Sequence, residues 1–193
     1  MQERTFENLI LNGEDLFLEG GITISSKFEM KDANLIVSGN LIILCDNDNF
    51  EVENSKIIVS GDLTINCESI KIKSVDISCN YLCCANANID ISDGDIWINT
   101  GLDCLNITSD GNIEVGGNSS VEYITCLNYL VTGDNNSYSI NASQDIYILN
   151  NNDSYDLTAR EILIDGDCYS SSIITAHHFV CTGELTCEGL FIE

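Results

Sequence analysis

The chain has no proline, and only seven of its residues are lysine or arginine. Without proline every residue keeps a backbone N–H to donate, so nothing in the sequence forbids a long hydrogen-bonded ladder. Positive charge runs out early. After Lys73 the only base is Arg160, so residues 74–193 set 18 acids against one base. The formal net charge of the whole chain is −24. A surface of that sign repels nucleic acid and anionic membranes and attracts basic protein surfaces or cations. No apolar run approaches the ~20 residues needed to cross a bilayer. No basic, apolar and small-residue succession typical of a secretory signal opens the chain. The expected setting is therefore cytoplasmic, with the ten cysteines as reduced thiols.

Apolar residues make up 44% of the 193 positions, enough to bury a core, and the simplest organisation is one domain over 1–193. Alternation with a period of two dominates. It is seen at Leu35/Val37, Leu41/Ile43/Cys45, Leu63/Ile65/Cys67, Val75/Ile77/Cys79, Ile96/Ile98, Ile113/Val115, Ile146/Ile148 and Ile162/Ile164. These are strands of about 3 to 5 residues. The one helix-like spacing is Phe6, Leu9, Ile10, Leu16 and Leu18, which makes residues 1–20 a candidate N-terminal cap, with an opening strand as the alternative.

Between the alternations a small or acidic residue, a glycine, and then Asp, Asn or Glu recur. They stand at Ser38-Gly39-Asn40, Ser60-Gly61-Asp62, Asp93-Gly94-Asp95, Asp110-Gly111-Asn112, Thr132-Gly133-Asp134, Asp165-Gly166-Asp167 and Thr182-Gly183-Glu184. The steps from Gly39 to Gly61, Gly94 and Gly111 equal those from Gly111 to Gly133, Gly166 and Gly183, which suggests a duplication at an offset of 72. Gly, Asn and Asp tolerate the positive φ of tight corners. Residues 34–43 align with 56–65 at an offset of 22, Cys45/Cys67 and Cys104/Cys126 are each 22 apart, and Cys45, Cys67, Cys79 and Cys187 share the parity of the preceding apolar positions, so those thiols are expected to point inward. Strand, corner and strand repeated at coil length describe an all-β, single-domain, right-handed parallel β-solenoid (a β-helix) with short strands and roughly 22-residue coils. Seven or eight coils fit the chain, a rod on the order of 35 to 40 Å long at ~4.8 Å per coil. An antiparallel sandwich or barrel is the competing architecture, but a sandwich has no reason to repeat a corner at coil length.

Val37-Ser38-Gly39-Asn40-Leu41 and Val59-Ser60-Gly61-Asp62-Leu63 resemble the glycine-punctuated strands of bactofilin-like, polymer-forming β-solenoids. That resemblance implies a parallel solenoid that stacks end to end into intracellular filaments. Ala33-Asn34-Leu35-Ile36-Val37, Gly61-Asp62-Leu63-Thr64-Ile65 and Ala87-Asn88-Ile89-Asp90-Ile91 look like the core unit of pentapeptide-repeat proteins, although they keep no strict five-residue register. Some acidic members of that family mimic DNA and occupy topoisomerases. Neither resemblance carries a functional residue across.

The chemistry-bearing residues are sparse. Cys79-x3-Cys83-Cys84 lacks the paired C-x2-C spacing of a zinc or iron–sulfur site, and neighbouring thiols on a strand diverge, so core packing of reduced thiols is the better account, with an exposed, reactive Cys84 as the alternative. His177 and His178 diverge in the same way, so no metal site is expected. Asp46-Asn47-Asp48-Asn49-Phe50-Glu51 fails the EF-hand loop, because Phe50 takes a ligand position and Glu51 replaces the glycine. Carboxylate pairs such as Asp93/Asp95 and Asp165/Asp167 share a strand face and admit a glycan-cleaving groove, but Trp97 is the sole tryptophan to hold sugar. Five N-x-S/T sequons, at Asn106, Asn118, Asn135, Asn141 and Asn152, are what an Asn- and Ser-rich chain produces by chance.

The expectation is thus a non-enzymatic, acidic binding protein with no cofactor and no metal, and specifically a DNA mimic that occupies the basic channel of a nucleic-acid-binding protein. The residues expected to carry it, on one face, are Asp90, Asp93, Asp95, Asp103, Asp110, Glu114, Glu122, Asp134, Asp145, Asp165 and Asp167. The first alternative is a bactofilin-like structural solenoid that forms homo-oligomers by end-to-end stacking. The second is a carbohydrate-active β-helix. A solenoid whose charge serves only solubility is the plain reading beside them.

Overall fold

The computed structural model describes residues 3–45, 50–66, 69–92 and 94–192, with side chains at 69–74, 85–88 and 92 outside the description. The described residues contain strands and no helix. Their strands pair in parallel throughout, forming a β-solenoid of about ten turns. At ~4.8 Å per turn the nine steps between turns make a rod about 43 Å long, longer than seven or eight coils would give.

Each turn has three sides. Interior positions on the first side form a column traced by register: Leu16 to Leu35 to Ile57 to Ile77 to Ile96, then Ile113, Tyr129, Ile146, Ile162 and Phe179. The second side runs through Ile22, Leu41, Leu63 and Leu82 to Leu102, Ser119, Asn135, Asn152, Cys168 and Leu185. The third carries Phe28, Phe50, Ile107, Ile124, Ile140, Leu157 and Ile173. Because alternate residues of a strand face opposite ways, these columns meet inside the rod as one continuous core, and the predicted period-two pairs fall on its walls. The apolar spacing from Phe6 to Leu18 belongs to strands Arg4–Asn12 and Asp15–Leu18, which pair with Ile22–Lys31 and Asn34–Val37. The segment takes the opening-strand alternative and forms the first coil.

Coil length is not constant. In the first half Asn34 pairs with Lys56 and Leu41 with Leu63, whereas later Ile113 pairs with Tyr129 and Asn152 with Cys168. The separation along the chain between bonded corner residues falls accordingly, from 22 at Asn40 and Asp62 to 16 at Asn151 and Asp167. Two of the six residues are lost between the third and first sides, where Phe50 precedes Ile57 by seven positions but Ile124 precedes Tyr129 by five, and the other four at the corner between the second and third sides. Residues 44–49 separate Ile43 from Phe50 there, whereas Glu122 alone separates Val121 from Tyr123. A solenoid tolerates this because corner residues outside the ladder can be added without disturbing the register of the sides.

The glycine signature has a different cause from the expected one. Gly39, Gly61, Gly133 and Gly183 do not take positive φ; among the described residues that conformation belongs to Gly13, Gly20, Asp32 and Asn54. The corner glycines are instead required by close approach. A Cβ on Gly39 would lie 2.4 Å from the Gly20 carbonyl oxygen, one on Gly133 would lie 2.6 Å from that of Gly117, and one on Gly183 would lie 2.6 Å from that of Gly166. The following Asp or Asn then caps the next coil: Asp62 N–H donates to Asn40 Oδ1 (3.0 Å), Asp134 N–H to Asn118 Oδ1 (3.0 Å), Asn151 N–H to Asp134 Oδ1 (3.2 Å), Asp167 N–H to Asn151 Oδ1 (3.0 Å) and Glu184 N–H to Asp167 Oδ1 (2.8 Å). A second ladder, at the corner between the third and first sides, holds Gly94 and Gly111. Gly39 and Gly111 therefore lie at different corners, and the repeated intervals do not reflect a duplication at an offset of 72.

Gly39→Ala should lower stability in urea by about 1–3 kcal/mol, because the new methyl meets rigid backbone rather than a movable side chain. An unchanged unfolding midpoint would show that the corners are not in tight contact.

Candidate functional site

Of the eleven acids expected to share one face, Asp93 lies outside the described residues, and the other ten are distributed around the rod. Asp90 projects from the third side, beside Thr108. Asp103 is on the second side, in register with Cys83 and Ser120, and Glu114 is on the first, in register with Trp97 and Leu130. Glu122 occupies the corner between second and third sides, Asp95, Asp110 and Asp145 that between third and first, and Asp134, Asp165 and Asp167 that between first and second. The single-face arrangement is thereby corrected. Each corner recurs once per coil, but because the coils differ in length, linear spacing does not report which corner a residue reaches.

Half of the ten are engaged in holding coils together. Asp95 Oδ1 accepts from the Asn112 N–H (2.6 Å) and Nδ2 (3.1 Å), Asp134 from Asn151, Asp167 from the Glu184 N–H, and Asp165 from the Thr182 hydroxyl (2.8 Å). Asp145 is buried and binds Arg160 through both carboxylate oxygens, Nη2 donating to each at 3.0 Å and Nε to Oδ1 at 3.2 Å. That pair engages the only base beyond Lys73. Asp90, Asp110, Glu114 and Glu122 are exposed and Asp103 is half-buried.

Three described lysines of the first half are similarly occupied. Lys27 lies 2.6 Å from Glu29, Lys31 3.7 Å from Glu53 and Lys56 3.9 Å from Asp76, and the Lys56 ammonium stands 5.9 Å from the Trp97 ring centre. Such half-exposed pairs contribute little to stability, but they cancel local positive charge.

Interior polarity explains two of the five sequons. On the second side the inward residues change from Leu and Ile to Asn and Ser. Asn135 and Asn152, only 2% and 1% exposed, each donate from Nδ2 to the serine two positions on, Ser137 (3.0 Å) and Ser154 (2.9 Å). Asn135 Nδ2 also reaches Asn152 Oδ1 (2.9 Å), while the buried Tyr129 hydroxyl donates to Asn135 Oδ1 (3.0 Å). Residues i and i+2 of a strand share a face, so an inward Asn-x-Ser forms its own hydrogen bond. These two sequons are structural elements of the core.

Cys45, Cys79, Cys84, Cys104, Cys126 and Cys168 are buried, and Cys83, Cys181 and Cys187 partly so. Cys45 and Cys79 point inward as expected; Cys187 does so in the last coil, and Cys67 lies outside the described residues. Cys84 is not the exposed thiol of its pair. It faces the core, where hydrogen bonding to Cys104 and burial push its pKa well up, and Cys83 faces outward. Burial likewise pushes Cys79 and Cys126 up to about 12 and Cys168 to about 11. These are neutral packing groups rather than nucleophiles. Cys104 and Cys126 do not stack, since Cys104 pairs with Val121 on the second side.

Asp46-Asn47-Asp48-Asn49 lies outside the described residues, and Phe50 beside it is buried. His177 and His178 are exposed, His178 in register with Glu161. Among the described residues no three His, Cys, Asp or Glu side chains converge as a metal site would require. No helix among them is long and apolar enough to cross a membrane.

Two surface features escaped sequence reading. Tyr123, Tyr138 and Tyr155 form an aromatic ladder, with ring centres 5.2 and 5.1 Å apart, and open depressions of about 390 and 430 Å³ flank Tyr138. Because Tyr138 and Tyr155 stack on each other, those ring faces are not free for sugar. The second feature is the outward column of the first side. By register Phe17, Ile36, Ile58, Ser78, Trp97, Glu114, Leu130, Tyr147, Leu163 and Val180 succeed one another along the rod, eight of the ten apolar or aromatic. A spacing that changes from coil to coil conceals such a column in the sequence.

No family model, curated protein or solved structure matches the chain. The likeness to bactofilin-like and pentapeptide-repeat proteins accordingly stands on the β-solenoid and on short motifs.

The buried thiols make stability fall in alkali. They ionise near pH 8.5–9 once unfolded but only near 11–12 when folded, so their stabilising effect is complete below about pH 8.5 and declines across that window, by about 1.4 kcal/mol per pH unit for each thiol. Cys126→Ala should flatten the decline between pH 9 and 11 in urea titrations. An identical slope in the variant would show that Cys126 is not protected from solvent.

Proposed function

We propose that the chain is a non-enzymatic acidic binding rod that occupies the basic channel of a nucleic-acid-binding protein. The observation that supports this most is the fate of its cations. The only base beyond Lys73 is tied to Asp145, while Asp90, Asp110, Glu114 and Glu122 stand exposed on different sides and corners. Lysine and arginine clusters that bind phosphates gain affinity similarly from fixed carboxylates. Charge distributed around a rod suits a channel that encloses it, as a duplex is enclosed, better than a flat surface. Coil spacing of ~4.8 Å does not match the ~3.4 Å rise of one DNA strand, so the likeness is one of shape and charge at the scale of a groove.

Affinity capture from a lysate at low salt should recover DNA- or RNA-binding proteins, released as salt rises and competed by duplex DNA. The combined variant Asp110→Lys, Glu114→Lys and Glu122→Lys, which touches none of the corner ladders, should weaken capture at least about tenfold. Undiminished capture by a variant that folds normally argues against the reading.

A structural role by stacking is favoured by a separate observation. In the last coil, strand Leu185–Ile192 continues the interior columns, yet Leu185 is 39% exposed, Leu190 41% and Ile192 58%. Solenoids ordinarily cover such an end with a polar coil. If a second copy covers it, oligomers should lengthen as salt screens the like charge, and Leu190→Asp should abolish them in electron micrographs and sedimentation. A monomer at every salt concentration removes this alternative.

A further inference from the structure

The apolar column of the first side is a separate surface. Phe17, Ile36 and Ile58 lie toward one end and Leu130, Tyr147 and Leu163 toward the other, with Trp97 between them. Phe17 is 58% exposed, and most of the rest are half-covered by their neighbours in the column. The column runs about 43 Å with two breaks, at Ser78 and Glu114, and monomeric proteins rarely leave so much aligned apolar surface unless something binds to it. Its borders differ in charge. Asp15, Asp76, Asp95 and Glu161 follow one corner, where the bases Lys56 and Arg160 are each paired, with Asp76 and Asp145, whereas at the other corner the positions next to the column are neutral apart from Glu19 and Asp165.

The acidic border selects the occupant. Two copies placed face to face would each bring a net charge of −24 to the contact, whereas a polypeptide with an apolar ridge flanked by lysines or arginines satisfies both the column and its acidic border. An α-helix laid along the rod axis advances ~5.4 Å per turn against ~4.8 Å per coil, so each turn of an amphipathic helix meets roughly one outward residue over four or five turns. We propose that the first side binds a cationic amphipathic helix of the partner, with the apolar ridge on the column and a basic flank on the acidic border. This rests on the basic-partner reading above and adds to it which side is used and in what form.

The sole tryptophan lies in the column and reports on it directly. The probe is a synthetic Leu/Lys peptide of about 22 residues, roughly six helical turns, with leucine on one face, beside a scrambled peptide of identical composition. Titration of the full chain should shift Trp97 emission to shorter wavelength with the patterned peptide, and the scrambled one should bind at least about tenfold more weakly. The pair Leu130→Asp and Leu163→Asp should weaken patterned binding about tenfold or more, and the milder Leu130→Gln and Leu163→Thr should act in the same direction if the first pair misfolds. Thr108→Asp and Thr125→Asp, which add the same charge on the third side, should leave it unchanged within about twofold.

Equal binding of both peptides, indifferent to the first-side variants, overturns the docking site and leaves the charge-based reading standing. Failure of both peptides to bind at low salt overturns both readings. Sedimentation of the chain alone as a dimer that Leu130→Asp and Leu163→Asp dissociate would assign the column to a second copy and equally overturn the proposal.

Discussion

Everything in this rod depends on how closely one coil can lie on the next. A parallel ladder requires every side to sit at strand spacing, and the corners must meet the same distance although they carry no strand pairing of their own. The corner between first and second sides solves this in two steps. Glycine removes the Cβ that would strike the backbone below, and the adjacent Asp or Asn turns its side-chain oxygen to the backbone N–H of the next coil. The interior columns of Leu, Ile and Val then superimpose. Their burial supplies the stabilisation that no coil could obtain alone.

This has a direct bearing on the charge. An acid-rich chain invites the view that all its carboxylates serve a partner, yet Asp95, Asp134, Asp145, Asp165 and Asp167 are parts of the scaffold, and the exposed set is smaller and lies around the rod. The remaining field is nonetheless one-signed. The single late base is half-exposed but held against a buried aspartate, where it compensates an otherwise costly charge and the pair adds no net charge to the surface. Binding of a basic partner and coil-to-coil cohesion thus draw on different carboxylates of one composition.

The second side puts polar groups to structural use in the interior as well. In the later coils the inward positions hold Ser119, Asn135, Asn152 and Cys168 where earlier coils have Ile22, Leu41 and Leu63. Hydrogen bonds along and across coils satisfy the amides, so the core changes chemistry without losing register. Strands built this way show no apolar alternation. They were illegible to a reading based on hydrophobic period, which registered them only as glycosylation-like triplets.

By itself the sequence determined the class of fold: period-two apolar pairs that recur with glycine-acid corners have few other solutions, and inward cysteines could be told by parity alone. It also determined the sign of the surface, because net charge needs no geometry. The tertiary structure decided what depends on which residues stand above one another. Coils of unequal length scatter equal intervals over different corners, so neither the ten-turn count, the aromatic ladder, the apolar column nor the placement of each carboxylate follows from linear spacing. Register across coils is a three-dimensional quantity, set by packing at each corner and not by distance along the chain.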